Sequence, residues 1–525
     1  ITLAWRTSGE ATSYTVELSQ DATFQSEKLE TQTVEHGKCV FTNLRYETKF
    51  YARVRANNES LAITSNWTEM GSSISTLSRT IPKILYAVEG SRISETSVEI
   101  KWVVSEKNPV DGLAIWEEGT TEERQISLEN ASAGQYTITG LTPRITYYVA
   151  LTNSAAPEGA EKYNQQRFTT AGMPADAVVV EDGVDLMDKI KAGMTDASKQ
   201  ALVFQLKNGV DYYLTAGGEV AAKTGDIKLT KSIALLANPG ERPTLYIREG
   251  CFNVKPESGN MPDIEYFVVD NVNIKETWTD SKPSKGSKTR LLNIGKHDAG
   301  TDFTIDRFEI TNSDIVLPSA VLMMSDASEG VTTINHIRID NCLVSGINTS
   351  AVTKQFGFIH AINKGSNVWN DVSVTNSTFY EFYISPGVFG APTANVPIAA
   401  GNKVVISNCT FYNWGSNKDG KNTYRAVGNF SKLTAPLNLS VNNCVFGSSE
   451  SKVLDAGGIN LDSKGNYCTS DFEKMSDAGL TLISLDTDDA SLFRNIEEND
   501  FTVIDAESVI YKSEYGDPRW ITVLD

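Results

Sequence analysis

The sequence predicts an all-β protein: two antiparallel β-sandwiches followed by a right-handed parallel β-helix with a short N-terminal capping helix. Three observations carry this. The first third of the chain alternates apolar and polar residues in short runs separated by polar turns. That arrangement occurs twice, with a tryptophan and a leucine-led corner at matching places. Six asparagines then recur at intervals of 41, 29, 35, 32 and 35 residues inside one apolar frame. At 525 residues the chain exceeds what one core serves, and the expected divisions are 1–78, 79–172, 173–470 and 471–525.

The totals bound the function. Net charge is −19 with both signs mixed along the chain, which leaves no basic footprint for nucleic acid and disfavours polyanions without a cation or a local basic patch. No apolar run reaches the ~18 residues of a spanning helix. Six cysteines lie far apart, with no CxxC pair and only four histidines, so a zinc site is not expected and most cysteines are expected to be buried thiols. Residue 1 opens on Ile1-Thr2-Leu3-Ala4-Trp5, a run that belongs inside a strand, so the chain is expected to begin part-way through a domain.

In the first module, Tyr14-Thr15-Val16-Glu17-Leu18 and Phe50-Tyr51-Ala52-Arg53-Val54 read as strands. Trp5 and the corner Leu44-Arg45-Tyr46 have their counterparts in Trp102 and Leu141-Thr142-Pro143, the latter followed by Tyr147-Tyr148-Val149. A tryptophan between sheets, then a corner leading into a Tyr-x-Val strand, resembles the fibronectin type III module, here in tandem over about a third of the chain. These are packing features, and neither module is expected to carry chemistry.

After Met173-Pro174 the texture changes. Asp185 to Lys191 reads as an amphipathic helix ended by Gly193, suited to plug the open end of a stack of strands. The stack is announced by Asn271, Asn312, Asn341, Asn376, Asn408 and Asn443. Two residues before each stands Val or Ile, and three residues after stand Ile274, Ile315, Val344, Phe379, Phe411 and Phe446. Even offsets before and an odd offset after put the two sets on opposite faces of a straight strand, so the chain must turn a corner at the asparagine. Two strands meeting at a bend every ~35 residues describe a coil built on parallel neighbours. The corner amides are expected to form a buried ladder between rungs. The next residue is small, which puts Cys342, Cys409 and Cys444 in one inert column. The sequons at Asn376 and Asn408 are accordingly not expected to carry glycans.

From about residue 177 the chain resembles the pectate-lyase-like β-helix superfamily, through Phe204 to Tyr212, the rung Lys231-Ser232-Ile233-Ala234-Leu235 and the asparagine ladder. With its ending Gly516-Asp517-Pro518-Arg519-Trp520, it resembles Bacteroidetes-type secreted proteins that join fibronectin modules to a β-helix. That resemblance implies a lipid-anchored, cell-surface protein of a polysaccharide utilisation system, working beside outer-membrane glycan transport proteins. It implies glycan binding or cleavage without choosing between them.

In such folds the substrate groove follows the strands here expected near Arg290–Lys296, Val321–Asp326, Phe356–Ile362, Thr423–Asn429 and Lys452–Asp455. A lyase acting on an acidic glycan needs a base beside a uronate carboxylate, with Ca²⁺ or another cation to neutralise the acid; Arg425, His360, Lys364 and Lys296 are the available groups. The series Asp298, Asp302 and Asp306 is read as loop carboxylates rather than a metal site, so no metal or cofactor is assigned. Asp326 and Asp455 lie too many rungs apart for a hydrolase pair. Binding asks only for aromatic faces and a few polar groups, and Trp414, Trp369, Tyr424, Tyr412 and Tyr383 are the candidates, with Trp414 and Trp369 expected to be exposed. The favoured expectation is a cell-surface polysaccharide-binding protein with fibronectin modules as spacers; the alternatives are a polysaccharide lyase and a non-catalytic adhesion or scaffold protein.

Overall fold

The structure is a computed structural model of the whole chain and describes residues 1–216, 223–224, 227–247, 252–276, 290–318, 321–326, 329–347, 357–361, 367–382, 387–390, 403–415, 424–430, 437–449, 451–455, 457, 459–473 and 479–524. Two compact units are present, one of residues 1–88, 99–138 and 145–168, the other of 89–98, 139–144 and 169–525.

Two fibronectin type III-like sandwiches of one topology make up the N-terminal third. In the first, Thr2–Ala4 pairs Lys38–Val40, and a second sheet runs Glu30–Val34, Ser13–Ser19, Lys49–Asn58 and Ile63–Thr64. In the other, Gln135–Thr139 pairs Ser97–Lys101, and the second sheet runs Arg124–Ser127, Gly112–Glu117, Thr146–Thr152 and Lys162–Thr169. Each sheet places the same successive strands side by side. Alternate residues Val16, Leu18, Phe50 and Ala52 are buried in the first core, which is what half-buried antiparallel strands require. Trp102 and Leu141 are buried as expected, whereas Tyr46 is 40% exposed and Phe50 supplies the core ring at the first corner.

The rest is a parallel β-helix of three sheets. Among the described residues the first sheet holds ten strands from Val178–Val180 to Ile459–Lys464, the second eleven ending at Ile483–Ser484, and the third eight from Ile227–Lys228 to Lys452–Asp455. Helix Leu186–Thr195 seals the N-terminal end with Leu186, Met187, Ile190 and Met194, and Asp185 caps it by accepting from the Asp188 amide. The helix runs past Gly193, where it was expected to stop: the glycine lies within the helix because a Cβ there would come within 2.7 Å of Leu202.

Each ladder asparagine sits between a first-sheet and a second-sheet strand with φ between 50° and 58°, the left-handed region that asparagine tolerates better than other side chains. That backbone turn is the physical origin of the parity switch. Each asparagine amide donates to a carbonyl one rung on, as Asn312 does to Asp340 and Asn376 to Ser407. The side-chain ladder is interrupted. Asn341 Nδ2 donates to Asn312 Oδ1 at 2.8 Å and Asn408 to Asn376 at 3.3 Å, while Asn312 and Asn376 donate to Asp270 and Asp340. These amides are half-buried rather than interior, because the corner points the next residue inward: Val272, Ser313, Cys342, Ser377, Cys409 and Cys444 are the fully buried column. Burial pushes the Cys342 thiol up to about 12 and Cys409 well above its ordinary value, as inert filler requires. Inside, Phe379, Phe411 and Phe446 stack at 5.1 and 5.2 Å. A seventh corner uses Gly465 at φ 64° in place of asparagine. A second polar row, Asp306, Asn335 and Asn370, links three neighbouring strands of the first sheet.

The C-terminal stretch does two things where a cap was expected. Phe472, Leu480 and Leu482 close the end of the main core. The residues beyond fold back on the outer face of the second sheet, where Leu492, Phe493, Phe501, Val503, Ile510, Tyr511 and Ile521 form a separate core with Tyr380 and Val445.

Candidate functional site

All five strands expected to line a groove have described counterparts in the third sheet: Arg290–Ile294, Val321–Ser325, Ile359–Ala361, Arg425–Asn429 and Lys452–Asp455. Phe252–Val254 and Phe389–Gly390 join them, the latter too short to leave a pattern in the sequence. In one register column stand Asn253, Asn293, Met324, His360 and Gly390. Asn293 Nδ2 donates to Asn253 Oδ1 at 2.9 Å and Asn293 Oδ1 accepts from Arg290, while Met324 and His360 are buried. Desolvation lowers the pKa of Arg290, with Asp326 acting against it.

The charged centre lies further along the sheet. Arg425 stands in register with Lys452, and Asn429 with Asp455. Arg425 Nε donates to Asp455 Oδ2, its Nη2 contacts the same oxygen, and Lys452 Nζ lies 3.6 Å from Oδ1. Tyr424 precedes Arg425 and packs on Gly415, where a Cβ would come within 2.6 Å of its ring.

The structure corrects most of the expected roles. Trp369 and Trp414 are fully buried, not exposed. Trp369 fills the coil interior, and Trp414 packs against Phe411, Phe446 and Phe472 while its Nε1 donates to the Lys452 carbonyl at 2.8 Å. Tyr412 lies on the second sheet and meets Phe501 of the C-terminal segment at 5.3 Å, so it is no open platform. Arg425 is held by Asp455, which opposes its use as a base. His360 Nδ1 accepts from the Gly357 amide at 3.0 Å, which puts the proton of a neutral ring on Nε2 and leaves no ring nitrogen to act as a base. His360 and Arg425 are two strands apart, roughly 10 Å along the stack. Lys296 is ion-paired with Glu329 at 3.2 Å. Lys364 and Tyr383 lie outside the described residues.

Asp298, Asp302 and Asp306 accept separately from the Ser258 amide, the Val331 amide and the Asn335 side chain. Among the described residues no three His, Cys, Asp or Glu side chains group as a metal site. The pairing of Asp455 with Arg425 was missed from sequence. Aligning the rungs on their asparagines would have placed the two strands side by side.

Residues 404–520 match the model of a family described as a domain of unknown function, DUF5123. The matched stretch runs from the strand Lys403–Ser407 to Trp520, so it joins the last rungs to the segment folded back on them. Among solved structures, the chain is similar to the chicken CNTN1 FN1–FN3 domains, at 14% identity over 33% of this chain and 62% of that one, with a TM-score of 0.16. It is also similar to a two-domain fibronectin type III segment from chicken tenascin, at 16% identity over 33% and 91%, with a TM-score of 0.17. The chain spans under two thirds of the CNTN1 segment. No curated protein matches.

Proposed function

We propose that this protein is a cell-surface polysaccharide-binding protein, that the outer face of the third sheet around Tyr424, Arg425, Asn429, Lys452 and Asp455 is its glycan-contact surface, and that the fibronectin-like modules act as spacers. The observation that supports this most is the grouping of an aromatic ring, an ion pair, a second cation and an amide on two neighbouring strands of one sheet. Those are the group types that hold sugar hydroxyls and stack on sugar rings. The resemblance to secreted proteins of polysaccharide utilisation supports a lipid-anchored, outer-membrane location and glycan transport proteins as partners. The lyase reading is weaker, because the arginine it needs is held by Asp455 and the histidine it needs already accepts a backbone proton.

Affinity gels loaded with a panel of neutral and acidic polysaccharides test the reading, with unsaturated product followed in the ultraviolet. Retardation by one glycan, lost in Lys452→Ala and Tyr424→Ala while melting temperature holds, is the expected result. Product formation abolished by Arg425→Ala would replace binding with a lyase. No retardation by any glycan would favour the scaffold reading.

A further inference from the structure

The ending Gly516-Asp517-Pro518-Arg519-Trp520 reaches four successive rungs of the second-sheet edge. Gly516 N–H donates to the Asn443 carbonyl at 2.8 Å, and Asp517 N–H to Thr410 Oγ1 at 3.0 Å. Thr378 Oγ1 donates to Asp517 Oδ2 at 2.7 Å and accepts from Trp520 Nε1 at 2.7 Å. Arg519 Nη2 donates to Asn341 Oδ1 at 3.0 Å. The span is roughly 14 Å, three rung spacings.

Beyond these bonds, the packing of its apolar cluster on the second sheet and the Ser448 amide on Asp489, the segment Asp489–Leu524 pairs within itself. Its hairpin strands Phe493–Asn495 and Asp500–Val503 pair only with each other, and the second sheet ends at Ile483–Ser484. Among the described residues a single backbone–backbone bond, from Gly516, joins it to the coil. Its hydrophobic cluster is distinct from the coil core, the second sheet standing between them. Elements that lack a shared ladder and stand outside the main core open as separate cooperative units.

We propose that Asp489–Leu524 is a strap that opens and recloses as one unit while the rungs beneath stay folded, and that the Asp517 contacts to Thr378 and Thr410 are the latch that sets how often it opens. Opening bares Leu343, Tyr380, Tyr412, Val445 and Tyr467, an aromatic face now covered. This goes beyond the glycan reading and does not depend on it.

Charge adds a pH dependence. Asp517, 1% exposed, is pushed up to about 6 by burial against the pull of Arg519, whose Nε lies 2.8 Å away, and of Thr378. Asp489, whose Oδ2 accepts from the Ser448 amide, is also raised to about 6 by burial, with Asp471 and Asp488 adding to the effect. A carboxylate whose folded value lies above its unfolded one stabilises the closed state most at low pH, and that contribution is lost as pH rises through about 6.

Hydrogen exchange by mass spectrometry on the full chain tests this. Peptides covering Phe501–Val503 and Val509–Ser513 should exchange with one common opening, about tenfold or more faster than Lys403–Ser407 and Leu437–Asn442. Asp517→Ala should speed the strap about tenfold and leave those coil strands within about twofold. The wild-type opening constant should rise between pH 5 and 8, and the double variant Asp517→Asn, Asp489→Asn should flatten that rise. Equal exchange of strap and coil strands, a variant effect shared by both, or a flat wild-type profile would each overturn the corresponding part of the proposal.

Discussion

The second and third sheets of the coil turn opposite chemistry outward. On the second, Tyr380 and Val445, with Leu343, Tyr412 and Tyr467 beside them, meet a segment more than forty residues on in the chain. On the third, Asn253 bonds Asn293, and Arg425 and Lys452 surround Asp455. The same backbone repeat supports both. An outward apolar column calls for a cover, whereas an outward polar column completes its bonds between adjacent rungs. An aromatic on an outer strand therefore says little about ligand access until every distant segment is placed.

The largest effect separates core from surface. Trp414→Ala and Trp369→Ala should each cost about 3–5 kcal/mol, the loss expected for a large buried side chain. Urea unfolding followed by fluorescence measures it, and a cost below about 1 kcal/mol would return the indole to the surface. Next comes the covered face. Thr378→Val keeps the shape but removes the hydroxyl shared by Asp517 and Trp520, leaving the buried Asp517 carboxylate and the half-buried Trp520 indole each short of a partner, so a loss of about 1–3 kcal/mol is expected. An unchanged melting temperature would show that the strap does not rely on that hydroxyl.

The architecture was readable because the asparagine frame carries geometry on its surface: parity before and after the corner requires a bend, and Asn271 through Asn443 all adopt it. What the frame could not show is which way the amide points, and so the column next to it, Cys342, Cys409 and Cys444, took the interior while the asparagines stayed half-buried. The site was less readable. The glycine beside Trp414 looks like part of a solvent loop, yet Gly415 is small because the Tyr424 ring packs on it, and the cover over Tyr412 comes from residues almost ninety positions later. The Arg425–Asp455 pair depends on register, which only aligned rungs reveal. Asn376 tests the corner itself: Asn376→Ala should cost about 1–2 kcal/mol for the left-handed backbone, and Asn376→Gly should recover about 1 kcal/mol of that. Equal costs would assign the asparagine's value to its amide contacts instead.

The smallest effect belongs to the third sheet and sharpens the contrast most. Arg425 and Asp455 keep 13% and 20% of their side-chain surface in solvent, so their attraction is partly screened and each is partly hydrated when the other is removed. Arg425→Ala should therefore lower stability by only about 1 kcal/mol or less, measured by the same urea titration at low and at 0.5 M salt. Thr378→Val, a change of fewer atoms, should cost more, because the Asp517 carboxylate it leaves behind is closed off from water. If Arg425→Ala instead matches the Thr378→Val loss at both salt concentrations, the ion pair is holding rungs together. The charged centre would then be a fastening like the strap latch and not a surface spare enough to receive a sugar.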